Sequence, residues 1–468
     1  MDNKRQICLG FKAFLIWVYC SFSIPELFGQ QIPAAMDSIE IRKIFEQALT
    51  GEGLDNDLLY LTKKIGARIS GSVNAQRAVN WARKRMLEIA PDTVYLQEVA
   101  VPHWERGAKE KSFIRTSGQQ IAMNVCALGG SIATHGLLHA KVIEVKNWAQ
   151  LASLSDRELK GKIVFFNRAM DPREIETYQA YLGAVDQRSK GAIEAGKRGA
   201  IGVLVRSLTL KEDDVPHTGA VTYDINTKKI PAAAIGIKSA NLLSAALAKD
   251  PNLIYSLKME CKQLPDEKSY NVIGELRGTT FPNEYVTVGA HLDSWDLGEG
   301  AADDGTGVVQ VLEVLQTLTN MEKRPERSFR AILYMNEESG AHGAVQYAKE
   351  AREKNEMHLA VLESDAGGFT PRGFRVDGSL AVVRQIKKWM EFLVPYKTGE
   401  IFPNQRGIDL LPMKELSKAL ISLECDDQRF FDIHHSLADT YDKLNIREVK
   451  LGAASMTSLS YLILKYGL

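Results

Sequence analysis

From residue 271 onward the chain alternates short apolar runs with longer segments that are apolar along one face. The runs at 272–276, 286–290, 329–334, 359–362 and 419–423 read as strands. The segments at 307–318, 343–352, 380–393 and 448–464 carry helical spacing. Such alternation predicts an α/β fold, a mostly parallel sheet covered by helices on both faces. In sheets of that kind ligands gather beyond the carboxyl ends of the strands.

Ahead of this region, helical patterns cover 38–49, 58–66 and 75–87, the last apolar at Ala78, Trp81, Ala82 and Met86. The stretch from 126 to 264 has a different character. It offers short strands at 162–166, 201–205 and 230–235, a helix over 190–198, and no cluster of histidines and acids. It is expected to be an inserted, β-rich, non-catalytic domain. The implied organisation is 1–30 as a signal peptide, 31–125 as the first part of the main domain, 126–264 as the insertion and 265–468 as the remainder.

Composition narrows the function. Of 468 residues, 45% are apolar and 25% charged, and 58 Lys+Arg balance 58 Asp+Glu. A net charge of zero gives no electrostatic reason to expect a nucleic acid partner. Lys4, Arg5 and Lys12 flank an apolar run over 13–24 that is too short to span a bilayer, so export is expected, with no membrane attachment once the leader is removed. Cys8 and Cys20 would leave with it. Cys126, Cys261 and Cys425 form neither a disulfide framework nor a thiolate metal spacing, so any bound metal needs oxygen and nitrogen ligands.

Four clusters of such ligands follow predicted strands: His291-Leu292-Asp293 running on to Asp303-Asp304, Glu337-Glu338, Glu363-Ser364-Asp365, and, after a long loop, His434-His435-Ser436 with Asp439. Each has an ordinary reading alone, as a helix cap, a solvated turn or a loop. Four on successive strand ends of one domain are harder to explain separately. Adjacent glutamates need a positive neighbour, and two divalent cations supply it while separating two roles. One glutamate holds metal; the other faces the attacking water as general base. His291, Asp303, Glu338, Asp365 and His435 meet the ligand count for two metals, with Asp303 as the bridge.

As a set these motifs, with Gly66-Ala67-Arg68-Ile69-Ser70-Gly71-Ser72 and Val101-Pro102-His103-Trp104-Glu105-Arg106-Gly107, resemble the co-catalytic zinc exopeptidase family. That family includes secreted aminopeptidases, glutamate carboxypeptidases and the transferrin receptor, and the chain looks most like its exported dipeptidases. The resemblance implies two zinc ions per chain, His291 and Asp365 on one, Glu338 and His435 on the other, Asp303 shared and Glu337 as base. It implies that Asp293 orients the His291 ring, that Asp439 does the same beside His435, and that the 303–304 peptide bond is cis. The insertion resembles a protease-associated domain.

His435 is taken as the ligand because it directly precedes Ser436, with Asp439-Thr440 following; His434 is left either to stabilise an oxyanion or to pack. Asp409, in Arg406-Gly407-Ile408-Asp409, is expected either to meet a substrate ammonium or to make a structural hydrogen bond. The implied partner is a short peptide, and a homodimer is left open. The implied reaction is hydrolysis of dipeptides or of terminal peptide bonds. The alternatives are an aminopeptidase acting on longer peptides, a single-zinc cyclase and a receptor-like binding protein. The complete ligand set argues against the last two.

Overall fold

A computed structural model describes residues 26–468 apart from 117, 366 and 367, and side chains from residue 35. The expected leader lies outside this range. No helix of the described residues is long and apolar enough to cross a membrane.

The main sheet has eight strands, in the order Thr93–Glu105, Lys262–Leu276, Arg327–Tyr334, Phe281–His291, Met357–Glu363, Ser417–Cys425, Pro371–Gly378 and Glu400–Pro403. Its four middle strands, from Arg327–Tyr334 to Ser417–Cys425, run parallel. The flanks are antiparallel where Lys262–Leu276 and Pro371–Gly378 join them. Side chains of successive residues point to opposite faces of a strand, and the core divides accordingly. Val272, Ala331 and Leu333 face one apolar layer, with the helices Val73–Ile89, Thr306–Asn320 and Ile446–Tyr466. Ile273, Ile332 and Tyr334 face the other, against the helix His342–Glu353. Gly452 lets the last helix approach closely, since a Cβ there would stand 2.4 Å from Gln310 Nε2.

A second eight-stranded sheet is built from Gln119–Ala122, Lys111–Thr116, Ile254–Lys258, Leu138–Val145, Ile163–Phe166, Gly202–Arg206, Ala232–Ile235 and Val125–Ala127. It has apolar clusters of its own and carries the helices Asp186–Lys197 and Ile237–Lys249. It therefore starts at Lys111, ahead of the expected 126. It stops before Lys262–Leu276, which runs out of the expected insertion into the main sheet. That strand pairs antiparallel with Thr93–Glu105 from Thr93↔Glu275 to Glu105↔Lys262, so a two-stranded ribbon ties the sheets together. Thr93–Glu105 was hidden because Pro102 reads as a breaker within a strand; the register shifts there, between Val101 and His103.

The second sheet also touches the loops of the first. Arg106 donates from Nε and Nη2 to the two carboxylate oxygens of Asp296 at 2.7 and 2.6 Å, and from Nη1 to the Ala127 carbonyl at 2.6 Å. The Thr218 amide donates to the His435 carbonyl at 2.8 Å. Cys126, Cys261 and Cys425 are free and buried.

Candidate metal centre

Three parallel strands deliver the acids and histidines to one end of the main sheet. Phe281–His291 ends on His291, Arg327–Tyr334 leads to Glu337 and Glu338, and Met357–Glu363 leads to Asp365. Asp303 comes from the loop that returns into Thr306–Asn320, with a cis peptide bond to Asp304. His434 and His435 follow the short helix Phe430–Asp432. Asn336 and His435 both have positive φ, 73° and 57°, so each turns sharply out of its strand or helix.

The two oxygens of Asp303 face different partners. Oδ1 lies 3.2 Å from His291 Nε2, which is 3.6 Å from Asp365 Oδ1. Oδ2 lies 3.2 Å from His435 Nε2, which is 3.1 Å from Glu338 Oε2. All five expected ligand residues therefore converge, in two groups that share one carboxylate. His291, Asp303 and Asp365 bring ligand atoms within 4.8 Å of one another, as do Asp303, His434 and His435.

The electrostatics of the cluster favour a bound cation. Burial, then the charges on Asp365 and Glu338, hold Glu337 well above the usual carboxylate range, although His291 opposes them. Burial and the Asp303 charge push Glu338 up to about 7. Burial disfavours a charged His435, but Glu338 and Asp303 outweigh it and hold the ring at about 9. Asp303 Oδ2 and Glu338 Oε1 are buried without a hydrogen-bond donor. Two imidazole nitrogens and three carboxylates, some with unsatisfied oxygens, suit borderline divalent ions such as zinc.

Several expected roles change. Asp293 Oδ1 is 3.9 Å from His291 Nδ1, whereas its backbone carbonyl is 3.1 Å away and accepts the ring N–H. The Asp293 carboxylate instead accepts from the Asn336 and Glu337 amides at 2.7 and 3.1 Å, fixing the turn that carries Glu337 and Glu338. Asp439 does not reach the His435 ring. It accepts from the Ala302 and Asp303 amides at 2.7 and 3.2 Å and so fixes the backbone at Asp303. Asp409 makes no hydrogen bond among the described residues; it is buried and pushed up to about 8, first by burial, then by Asp293 and Asp365 against His291. It lies behind the cleft lining, to which Arg406 and Ile408 contribute. His434 stacks on His435 at 3.6 Å and is enclosed by Tyr181, Phe430 and Phe431, with Nε2 3.7 Å from Asp303 Oδ2.

These residues open into a cleft of about 710 Å³. A family model described as "Peptidase family M28" matches residues 271–459. Carboxypeptidase Q of Xenopus laevis is 35% identical over 90% of this chain and 88% of its own length. This chain belongs to peptidase family M28. The human carboxypeptidase Q is 32% identical over 87% of this M28 chain and 84% of its own. The crystal structure of an M28 peptidase precursor from Shewanella amazonensis superposes with a TM-score of 0.88 at 30% identity, covering 93% of this chain and 98% of that one. A zinc aminopeptidase of Bacillus subtilis shares the fold, with a TM-score of 0.65 at 20% identity over 88% and 95%.

Other residues of this M28 centre carried no role in the sequence reading. Arg68, fully buried, donates from Nε to the Leu292 carbonyl at 2.6 Å, from Nη1 to Glu299 at 3.0 Å and from Nη2 to Gly300 at 2.9 Å. It stitches together the loop that ends in Asp303. It stands in the 66–72 motif, and a charged residue between apolar neighbours was the signal. Glu363 is buried with both oxygens unpaired and lines an extension of the cleft of about 50 Å³. Tyr178, Tyr181 and Arg188 come from the expected insertion and line the cleft. No sequence signal connected that stretch with the chemistry.

Proposed function

We propose that this M28 peptidase is an exported two-zinc exopeptidase hydrolysing dipeptides or the terminal bonds of short peptides, with Glu337 as general base. The observation that carries the reading is the division of Asp303, each oxygen 3.2 Å from the Nε2 of a different histidine. On this reading His291 and Asp365 would hold one ion, Glu338 and His435 the other, and Asp303 would be shared between them. Zinc there would supply Lewis acidity, lowering the pKa of water toward ~7 and polarising a carbonyl.

The chain's own groups do the rest. Glu337, not needed as a ligand, takes the proton of the attacking water and returns it to the leaving amine. Its amide is tied to Asp293 at 3.1 Å, so its carboxylate is aimed by the backbone. His434 stands beside the centre, where it can meet the carbonyl oxygen as charge develops. Similarity to proteins named carboxypeptidase Q supports a substrate with a free carboxyl end; the fold shared with zinc aminopeptidases supports the second reading, removal of amino-terminal residues from longer peptides. The signal-like pattern of residues 1–30 supports export.

The test is Glu337→Gln. Metal content stays near two ions per chain while kcat falls by about 10³-fold, within the range for loss of a general base. Near-normal turnover in that variant would sink the assignment. Rates on free dipeptides, amino-blocked dipeptides and longer peptides separate the two substrate readings.

A further inference from the structure

The loop that leaves the strand Phe281–His291 meets the second sheet through two consecutive side chains. Asp296 takes the Arg106 fork, and Trp295, 4% exposed, lies against Gly129, just past the strand Val125–Ala127. Gly129 is itself held in place: its amide donates to the Gly219 carbonyl at 3.0 Å, and its carbonyl accepts from the Val221 amide at 2.9 Å. A Cβ at Gly129 would stand 1.9 Å from both Cη2 and Cζ3 of the indole, so only glycine lets the ring seat there. Those atoms, with Cε3, form the edge of an indole farthest from its nitrogen. With that edge on the second sheet, the Nε1–H of Trp295 is turned away from it.

Beside the ring lies a small cavity of about 10 Å³, walled by Trp295, Asp303, Glu338, His435, Ser436 and Asp439 along with two glycines. Trp295 Nε1 is buried without a hydrogen-bond partner, and an unbonded buried N–H is costly. The acceptors around the cavity are mostly committed. Both Asp439 oxygens take backbone amides. Asp303 faces its two histidines, and Glu338 Oε2 faces His435. Glu338 Oε1 remains, buried and without a donor. One unmatched donor and one unmatched acceptor thus border a space about the size of a water molecule, the arrangement in which buried water joins polar groups too far apart to bond directly.

We propose that one buried water bridges Trp295 Nε1 and Glu338 Oε1, making Trp295 a positioning residue that holds Glu338 with only Oε2 presented to its metal. The water accepts from the indole and donates to the carboxylate. This rests on the two-zinc reading above. Groups behind a metal ligand raise affinity by orienting it. Here the support is seated on Gly129, so the second sheet bears on one ion of the pair. His291 and Asp365, the residues assigned to the other ion, are not part of the cavity wall.

The test is Trp295→Phe, which removes the N–H and keeps an aromatic ring. In competition with a chromophoric chelator, one zinc is held ~10–100-fold more weakly than in wild type and the other changes by less than about threefold. With limiting zinc, kcat on a dipeptide falls. With excess zinc it returns to within about threefold of wild type at unchanged KM, which a general loss of packing would not allow. Equal weakening of both ions, unchanged affinity for both, or a fall in kcat that excess zinc does not restore would overturn the proposal. If the variant does not fold, a crystal structure of the zinc-loaded wild type decides. It should show a water about 3.2 Å or less from both Nε1 and Oε1. A direct Trp295–Glu338 bond, or both Glu338 oxygens on metal, would overturn the bridge. Wild type that binds no zinc and cleaves no peptide would overturn the two-zinc reading and this inference with it; intact binding and turnover beside any of the other adverse results removes this inference alone.

Discussion

Replacing Arg68 by methionine asks how far the metal loop depends on one buried side chain. The substitution keeps much of the aliphatic stem and removes the donors to the carbonyls of Leu292, Glu299 and Gly300. A hydrogen bond to a charged group contributes ~1.5–3 kcal/mol, and an orphaned buried carbonyl costs ~1–3 kcal/mol. Against this, the guanidinium no longer has to be taken out of water, and burial is already the largest influence on it, favouring its neutral form. With partial relaxation of the loop the net loss is about 3–5 kcal/mol, the range for removing one partner from a buried charged network. That is a large part of the ~5–15 kcal/mol holding an ordinary domain together. Urea unfolding of the metal-loaded protein measures it, and zinc retained after graded dialysis against a weak chelator measures the loop, with affinity expected to fall ~10–100-fold. Arg68→Lys separates charge from geometry: one ammonium cannot serve three carbonyls, so it should behave more like methionine than like arginine. A loss under about 1 kcal/mol with metal affinity unchanged would refute the reasoning.

Further predictions concern pH and space. In chelator, His435 at about 9 and Glu338 at about 7 bind protons more tightly in the folded chain than at their ordinary 6.5 and 4.5. The stability they contribute is complete at the acid end and is lost as pH rises through those values. The metal-free Tm should therefore fall as pH rises from about 5 to 9, and zinc should flatten that slope by replacing the protons. A metal-free Tm that rises over this window would contradict the arrangement. Gly407→Ala places a Cβ 1.4 Å from Glu363 Oε2, so the buried carboxylate must shift into the side extension that it lines. It should cost ~1–3 kcal/mol and lower kcat/KM as the side extension closes, both read from a thermal melt and a dipeptide assay.

The candidate ligands were legible because their chemistry has letters. His291, Glu337-Glu338 and Asp365 stand directly after apolar runs, and His435 after a run and a long loop; position after a strand is a statement sequence can make. What Asp293 and Asp439 do was hidden, since both act on backbone amides, of Glu337 and of Asp303, and every residue but proline carries one. The parallel centre of the main sheet followed from unbroken apolar runs. The ribbon of Thr93–Glu105 and Lys262–Leu276 did not, because its exposed polar positions and Pro102 look like a loop until its partner is known. The seat of Trp295 was beyond reach for a different reason: it is a glycine far back along the chain.

The bond from the Thr218 amide to the His435 carbonyl crosses from one sheet to the other at the very residue expected to hold zinc. Free energies at such a joint are reciprocal. Whatever draws the second sheet onto the cleft, a substrate included, tightens the hold on metal by the same factor that metal tightens the hold on the second sheet. The enzyme would then keep a bound metal best while it is working.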